Sequence, residues 1–151
     1  MKFKMVKFYM DIANRAAMLS DAKKLQVGTV IVKDDNIISF SWNGTPPNWH
    51  SNNCEYISNN ELKTLPEVIH SEANAILKLA KTGISAKDST LFCTVAPCID
   101  CAKMIASAGI STVYYHNEYK NNNGLDFLFL CNVDVLKYEN NESQKGFTAI
   151  I

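Results

Sequence analysis

Thr90-Leu91-Phe92-Cys93-Thr94-Val95-Ala96-Pro97-Cys98-Ile99-Asp100-Cys101 is the stretch on which the fold turns. Its first half is rich in β-branched and apolar residues and reads as a strand. Pro97 then opens a helix from Cys98 to about Ala108, because the amide it lacks would have no partner in the first turn. Gly109 closes that helix, and Thr112-Val113-Tyr114-Tyr115 is the next strand. Strand, helix, strand in that order predicts parallel neighbours joined by right-handed crossovers. A turn at Asn121-Asn122-Asn123-Gly124, a short helix Leu125 to Leu130 and a strand Val133-Asp134-Val135-Leu136 extend the series.

Upstream, Ala73, Ile76, Leu77 and Ala80 mark a helix that begins at His70-Ser71-Glu72 and stops at Gly83. Val27 to Val32 and Ile37 to Trp42 are strands joined through Asp34-Asp35-Asn36, an antiparallel hairpin. Val6 to about Ser20 is an amphipathic helix, with Phe8, Ile12, Ala16 and Leu19 at helical spacing and Tyr9 and Ala13 beside them. Trp42, Phe92 and the Ile76/Leu77 pair are expected in the core. Asn48 to Thr64 is polar and holds five asparagines, so it is expected to be an exposed loop with at most one helical turn. The tail from Glu139 is polar and expected to be loosely held until Phe147. The order αββαβαβαβ predicts an α/β protein with a single mixed five-stranded sheet flanked by helices. With no repeat and no linker, residues 1–151 are expected to form one domain.

The chain has 151 residues, 47% hydrophobic and 20% charged, enough for a real core. Lys+Arg and Asp+Glu are 15 each, and zero net charge argues against long-range attraction to DNA or RNA. No run approaches the roughly 18 apolar residues of a membrane span. No signal peptide is visible. The five cysteines are an odd number and only one pair is closely spaced, which predicts a reducing, cytoplasmic setting.

His70, Cys98 and Cys101 offer a metal three ligands, and Glu72 offers a carboxylate that need not bind it. Zinc on three protein ligands keeps its fourth position for water, the catalytic pattern. Residues two apart do not share a face in the body of a helix, but at its first turn both side chains can reach past the helix end. The chemistry expected is a zinc-activated water, with Glu72 carrying its proton to a substrate. A lone C-x-x-C is also compatible with a redox pair or half a structural zinc site. The latter needs a fourth protein donor, and His50, Cys54, His116 and Cys131 could serve, though without knuckle-like spacing. Cys93 alternates within a strand and is expected in the core.

H-x-E followed by P-C-x-x-C is the established signature of zinc nucleobase deaminases. From about Val6 to Leu136 the chain resembles the deoxycytidylate (dCMP) deaminases of the cytidine deaminase superfamily. Val27-Gly28-Thr29-Val30-Ile31-Val32 is similar to that family's first strand. Trp42-Asn43-Gly44-Thr45-Pro46 is similar to its Y-N-G-x-P loop. Leu65 to Ala75 is similar to its H-A-E-x-N-A helix start, and Glu118-Tyr119 also matches.

The resemblance implies a three-layer α/β/α fold and hydrolysis of dCMP to dUMP and ammonia, supplying dUMP for dTMP synthesis. It implies that Asn43 binds the deoxyribose hydroxyl, that backbone groups of Ser71 and Ala96 read the cytosine edge, and that Tyr119 lies against the substrate. Asn74, Lys23 and Lys24 become candidates for the phosphate, and Lys81 for an effector site. Solvated surface charge is the other reading of the three lysines. The resemblance further implies a homo-hexamer, activated by dCTP carrying Mg²⁺ and inhibited by dTTP; from its charge and hydropathy no nucleic-acid or membrane partner is expected. Two departures stand out. Ser71 replaces the usual alanine, and Ala22 stands where some phage relatives have a cysteine for a second zinc. One Zn²⁺ per chain is therefore expected, with His50 and Cys54 the residues that could argue otherwise. Competing readings are a zinc deaminase of tRNA adenosine or free cytidine, and a regulatory subunit that binds nucleotides without turnover. The N-G-x-P loop counts against the first and Glu72 against the second.

Overall fold

The computed structural model of the chain describes residues 1–140. Its elements are α1 (Phe3–Ala17), β1 (Gly28–Lys33), β2 (Asn36–Trp42), β3 (Glu55–Ser58), β4 (Glu61–Thr64), α2 (Ser71–Thr82), β5 (Thr90–Val95), α3 (Ile99–Ser107), β6 (Thr112–Asn117), α4 (Asn123–Leu130) and β7 (Asp134–Lys137). Five strands form one mixed sheet in the order β2-β1-β5-β6-β7. β1 pairs antiparallel with β2 and β5, while β5, β6 and β7 run parallel. This is the expected mixed sheet with its parallel half after Thr90. The expectation for the tail near Phe147 lies outside the described residues.

Alternation along the two central strands separates the cores. Val30, Val32 and Phe92 face α1, where they meet Tyr9, Met10 and Ala13. Ile31, Leu91 and Cys93 face the other way and pack with Ala75 and Leu79 of α2, Ala102 and Ile105 of α3 and Leu128 of α4. One helix therefore covers one face and three cover the other. Phe92 stacks on Tyr114 with centroids 5.1 Å apart and also meets Tyr9 at 5.2 Å.

Three sequence expectations need correction. The buried stripe of α1 is Val6, Tyr9, Met10, Ala13, Ala16 and Ala17, while Phe8 and Leu19 are exposed. The cause is close approach: a Cβ on Gly28 of β1 would overlap the Ala13 carbonyl oxygen, so alanines occupy the contact and the larger residues turn outward. Leu77 likewise points to solvent. Finally, the polar stretch after Asn48 is not all loop, because β3 and β4 pair antiparallel within it. Asn59 and Asn60 both have positive φ, 52° and 60°, the left-handed pair that a type I′ hairpin turn requires. Asp34 and Asp35 make the same turn between β1 and β2, at 50° and 58°.

α2 and α3 end as their glycines predict. Gly83 is left-handed at φ 73°, with Ile84 N–H donating to the Leu79 carbonyl, and Gly109 at φ 78° lets Ile110 N–H reach the Ile105 carbonyl.

Candidate active site

The site gathers where the parallel strands end, the usual location in open α/β sheets. β5 runs out at Val95, and the chain turns through Ala96 and Pro97 into α3. Ala96 N–H donates to the Asn117 carbonyl, which ties this turn to the end of β6. Cys98 is the N-cap of α3 and His70 the N-cap of α2, both in extended conformation. Each carbonyl starts its helix, accepting from Ala102 N–H and Asn74 N–H respectively, so each side chain is left free to point forward. α4 presses on the same turn: a Cβ on Gly124 would overlap the Pro97 carbonyl oxygen.

His70 Nδ1 lies 3.5 Å from both Cys98 Sγ and Cys101 Sγ. All three donor atoms fall within 4.8 Å of one another. Tetrahedral zinc with Zn–N near 2.0–2.1 Å and Zn–S near 2.3 Å places its N and S ligands roughly 3.5 Å apart, so the trio fits that ion. Cys98 is poised to ligate as thiolate. Hydrogen bonds from Cys101 and His70 bring its thiol down to about 4, whereas Cys101, which serves Cys98 as donor, is pushed up. His70 is raised by its bond to Cys98 against the opposing effect of burial. Among the described residues no other His, Cys, Asp or Glu group converges in this way, and His50 and Cys54 do not join it. All five cysteines are free, so the C-x-x-C pair is not a disulfide.

Glu72 is buried, 4% exposed, at the floor of a cleft of about 140 Å³. Burial raises its pKa, while its own backbone N–H and the adjacent His70 favour the charged form. Ser71 Oγ donates to its Oε2 at 3.1 Å. Such a carboxyl holds a proton more readily than an exposed one and can release it again, which a general acid/base requires.

Asn43, Ser71, Ala96, Tyr119 and Lys24 all line the cleft with the His70–Cys98 end of the trio. Asn43 also braces the scaffold. Its Oδ1 accepts from Val27 N–H and its Nδ2 donates to the Leu25 carbonyl, both at 2.8 Å, fixing the loop that forms one wall. Asn74 is not on the cleft wall; its Nδ2 donates to the Trp42 carbonyl and steadies the residue before Asn43. Lys23 and Lys81 also lie off the wall, and Lys23 meets it only through its backbone.

Two charged wall residues escaped the sequence reading. Lys120 follows Tyr119 and lines the mouth. Glu55, on β3, accepts from the backbone N–H groups of both Lys23 and Lys24 at 2.9 and 3.1 Å, pinning the hairpin to the segment before β1. The Asn59-Asn60 turn was the one local signal for that hairpin. A two-rung bridge between Gly44 and Ile69 joins the Asn43 loop to the approach to His70.

Residues 4–117 match the model of the cytidine and deoxycytidylate deaminase zinc-binding region. The chain belongs to this family. Its relatives include ComE operon protein 2 of Bacillus subtilis, 34% identical over 75% of this chain and 59% of that protein. They also include the deoxycytidylate deaminase of Saccharomyces cerevisiae, 31% identical over 75% of this chain and 38% of that enzyme. The chain thus spans less than two thirds of the length of each of these two relatives. Among solved structures, the dCMP deaminase of cyanophage S-TIM5 in complex with dCMP and dUMP superposes with a TM-score of 0.86. That phage protein is 42% identical, over 91% of this chain and 99% of its own. Family membership agrees with the donor set: one imidazole and two cysteine sulfurs at zinc spacing, with a carboxylate alongside.

Proposed function

We propose that this chain hydrolyses dCMP to dUMP and ammonia. The observation that carries the reading is His70 Nδ1 at 3.5 Å from both the Cys98 and Cys101 sulfurs, beside a buried Glu72 at the floor of a cleft. Its likeness to the cyanophage enzyme bound to dCMP and dUMP supports the choice of substrate. His70, Cys98 and Cys101 would hold one zinc per chain, which supplies an activated water near neutral pH. Glu72 takes up a proton on its carboxylate, delivers it to the ring nitrogen beside the reacting carbon, and carries a further proton to the departing amine. Backbone groups of Ser71 and Ala96 face the cytosine edge, Tyr119 covers the base, and Asn43 receives the deoxyribose hydroxyl. Lys24 and Lys120 are the cations on the wall and suit the 5′-phosphate better than Lys23 or Asn74.

The proposal extends to one deaminase domain over residues 1–151, a cytoplasmic setting, and dUMP output towards dTMP. Among the described residues no helix is long and apolar enough to cross a membrane. Activation by dCTP with Mg²⁺, inhibition by dTTP with Lys81 near the effector, and hexamer formation rest on family resemblance. Exposed Met18, Leu19 and Phe40 support self-association. Ammonia release from dCMP, deoxycytidine and a tRNA anticodon stem, with and without a chelator, tests the activity. Turnover of dCMP that the chelator abolishes is expected; turnover of RNA alone would overturn it.

A further inference from the structure

Beneath Glu72 lies a row of buried polar groups that the deamination chemistry above does not call on. Thr29 on β1, Ser71 at the start of α2 and Cys93 on β5 are each 0% exposed. Thr29 Oγ1 and Ser71 Oγ are 2.7 Å apart, Ser71 Oγ is 3.1 Å from Glu72 Oε2, and Thr29 Oγ1 is 3.3 Å from Cys93 Sγ. Burying hydroxyls costs free energy unless they are partnered, and apolar side chains of similar size would fill this space without that cost. The hydroxyls therefore need a reason.

Proton counting supplies one. Each hydroxyl donates once and also accepts, whereas an ionised carboxylate only accepts. With Glu72 ionised, the row has one consistent direction: Thr29 donates to Ser71, and Ser71 donates to Glu72. A proton taken up on the other carboxyl oxygen leaves Oε2 an acceptor, so the row keeps its direction while Glu72 passes that proton to the substrate. Burial keeps the Cys93 thiol neutral by raising its pKa, so it adds no charge beside Glu72.

We propose that the Thr29–Ser71 hydroxyl pair is a positioning device for Glu72, holding Oε2 in place through both states of the proton-carrying cycle. The proposal rests on the reading of Glu72 as proton carrier.

The test compares zinc-loaded wild type with Ser71→Ala, Thr29→Val, the double variant and Thr29→Ser. A lost hydrogen bond to a charged group predicts a kcat roughly tenfold lower for Ser71→Ala, with KM for dCMP within about twofold. Thr29→Val should lower kcat in the same sense, the double variant should be no slower than Ser71→Ala, and Thr29→Ser should recover the rate. Zinc content and dUMP affinity should hold. Affinity for a hydrated pyrimidinone nucleotide, whose ring hydroxyl Glu72 must grip, should fall in step with kcat. A Ser71→Ala enzyme with wild-type kcat overturns the proposal, as does a loss of rate matched by a loss of zinc. Wild type that is inert towards dCMP would instead defeat the assigned activity, and this proposal with it.

Discussion

At Glu72 burial pushes the carboxyl's pKa up while its own backbone N–H, His70 and Ser71 favour the charged form, a balance that suits the proposed role of proton carrier. Replacing it by alanine should lower kcat by about 10²–10⁴, the usual worth of such a group, while bound zinc stays near one per chain. Metal analysis beside ammonia release checks this. His70→Ala, by contrast, should lose the zinc along with the activity, because two sulfurs alone do not complete the donor set. These residues were legible in the sequence because each is marked by its own local signal, a helix start with its cap. Asn43 was legible only by half. Its grip on Val27 and Leu25 depends on a contact across the fold that no short window of sequence records.

The β3–β4 hairpin has little core to bury, which is why hydropathy missed it: Tyr56, Ile57, Glu61 and Leu62 are exposed. Strands that face water on both sides lack the alternation by which strands are recognised, and only the Asn59-Asn60 turn gave it away. Its anchor is Glu55. Glu55→Ala removes the acceptor for two backbone amides and should raise KM for dCMP several-fold while changing kcat less. Faster hydrogen exchange at Lys23 and Lys24 would accompany it. α1 shows the opposite error. Its large apolar residues suggested one face, but the helix sits so close to β1 that alanines win the contact. The same tightness at α4 predicts that Gly124→Ala costs about 1–3 kcal/mol of stability and loosens zinc retention, read by thermal unfolding and by competition with a chelator.

Across the whole molecule, Phe92 lies at the centre of the α1 face, fully buried between Tyr9 and Tyr114. Phe92→Ala should cost about 3–5 kcal/mol in denaturant unfolding, with the zinc trio on the opposite side of the sheet still able to bind. Zinc held by the folded trio would favour the folded state, so chelation should lower the unfolding temperature as well as the activity. The sheet order and its parallel half were legible because crossover rules leave few choices. The size of an assembly was not, since it depends on surfaces such as Met18, Leu19 and Phe40 that one chain displays without a partner. Light scattering should give a mass near six times 16.9 kDa if the hexamer holds. The two-rung bridge from Gly44 to Ile69 sets a rule for redesign. Any graft into the loop at Asn43 will tug on the imidazole a single residue further along, so that wall and metal affinity will have to be engineered together.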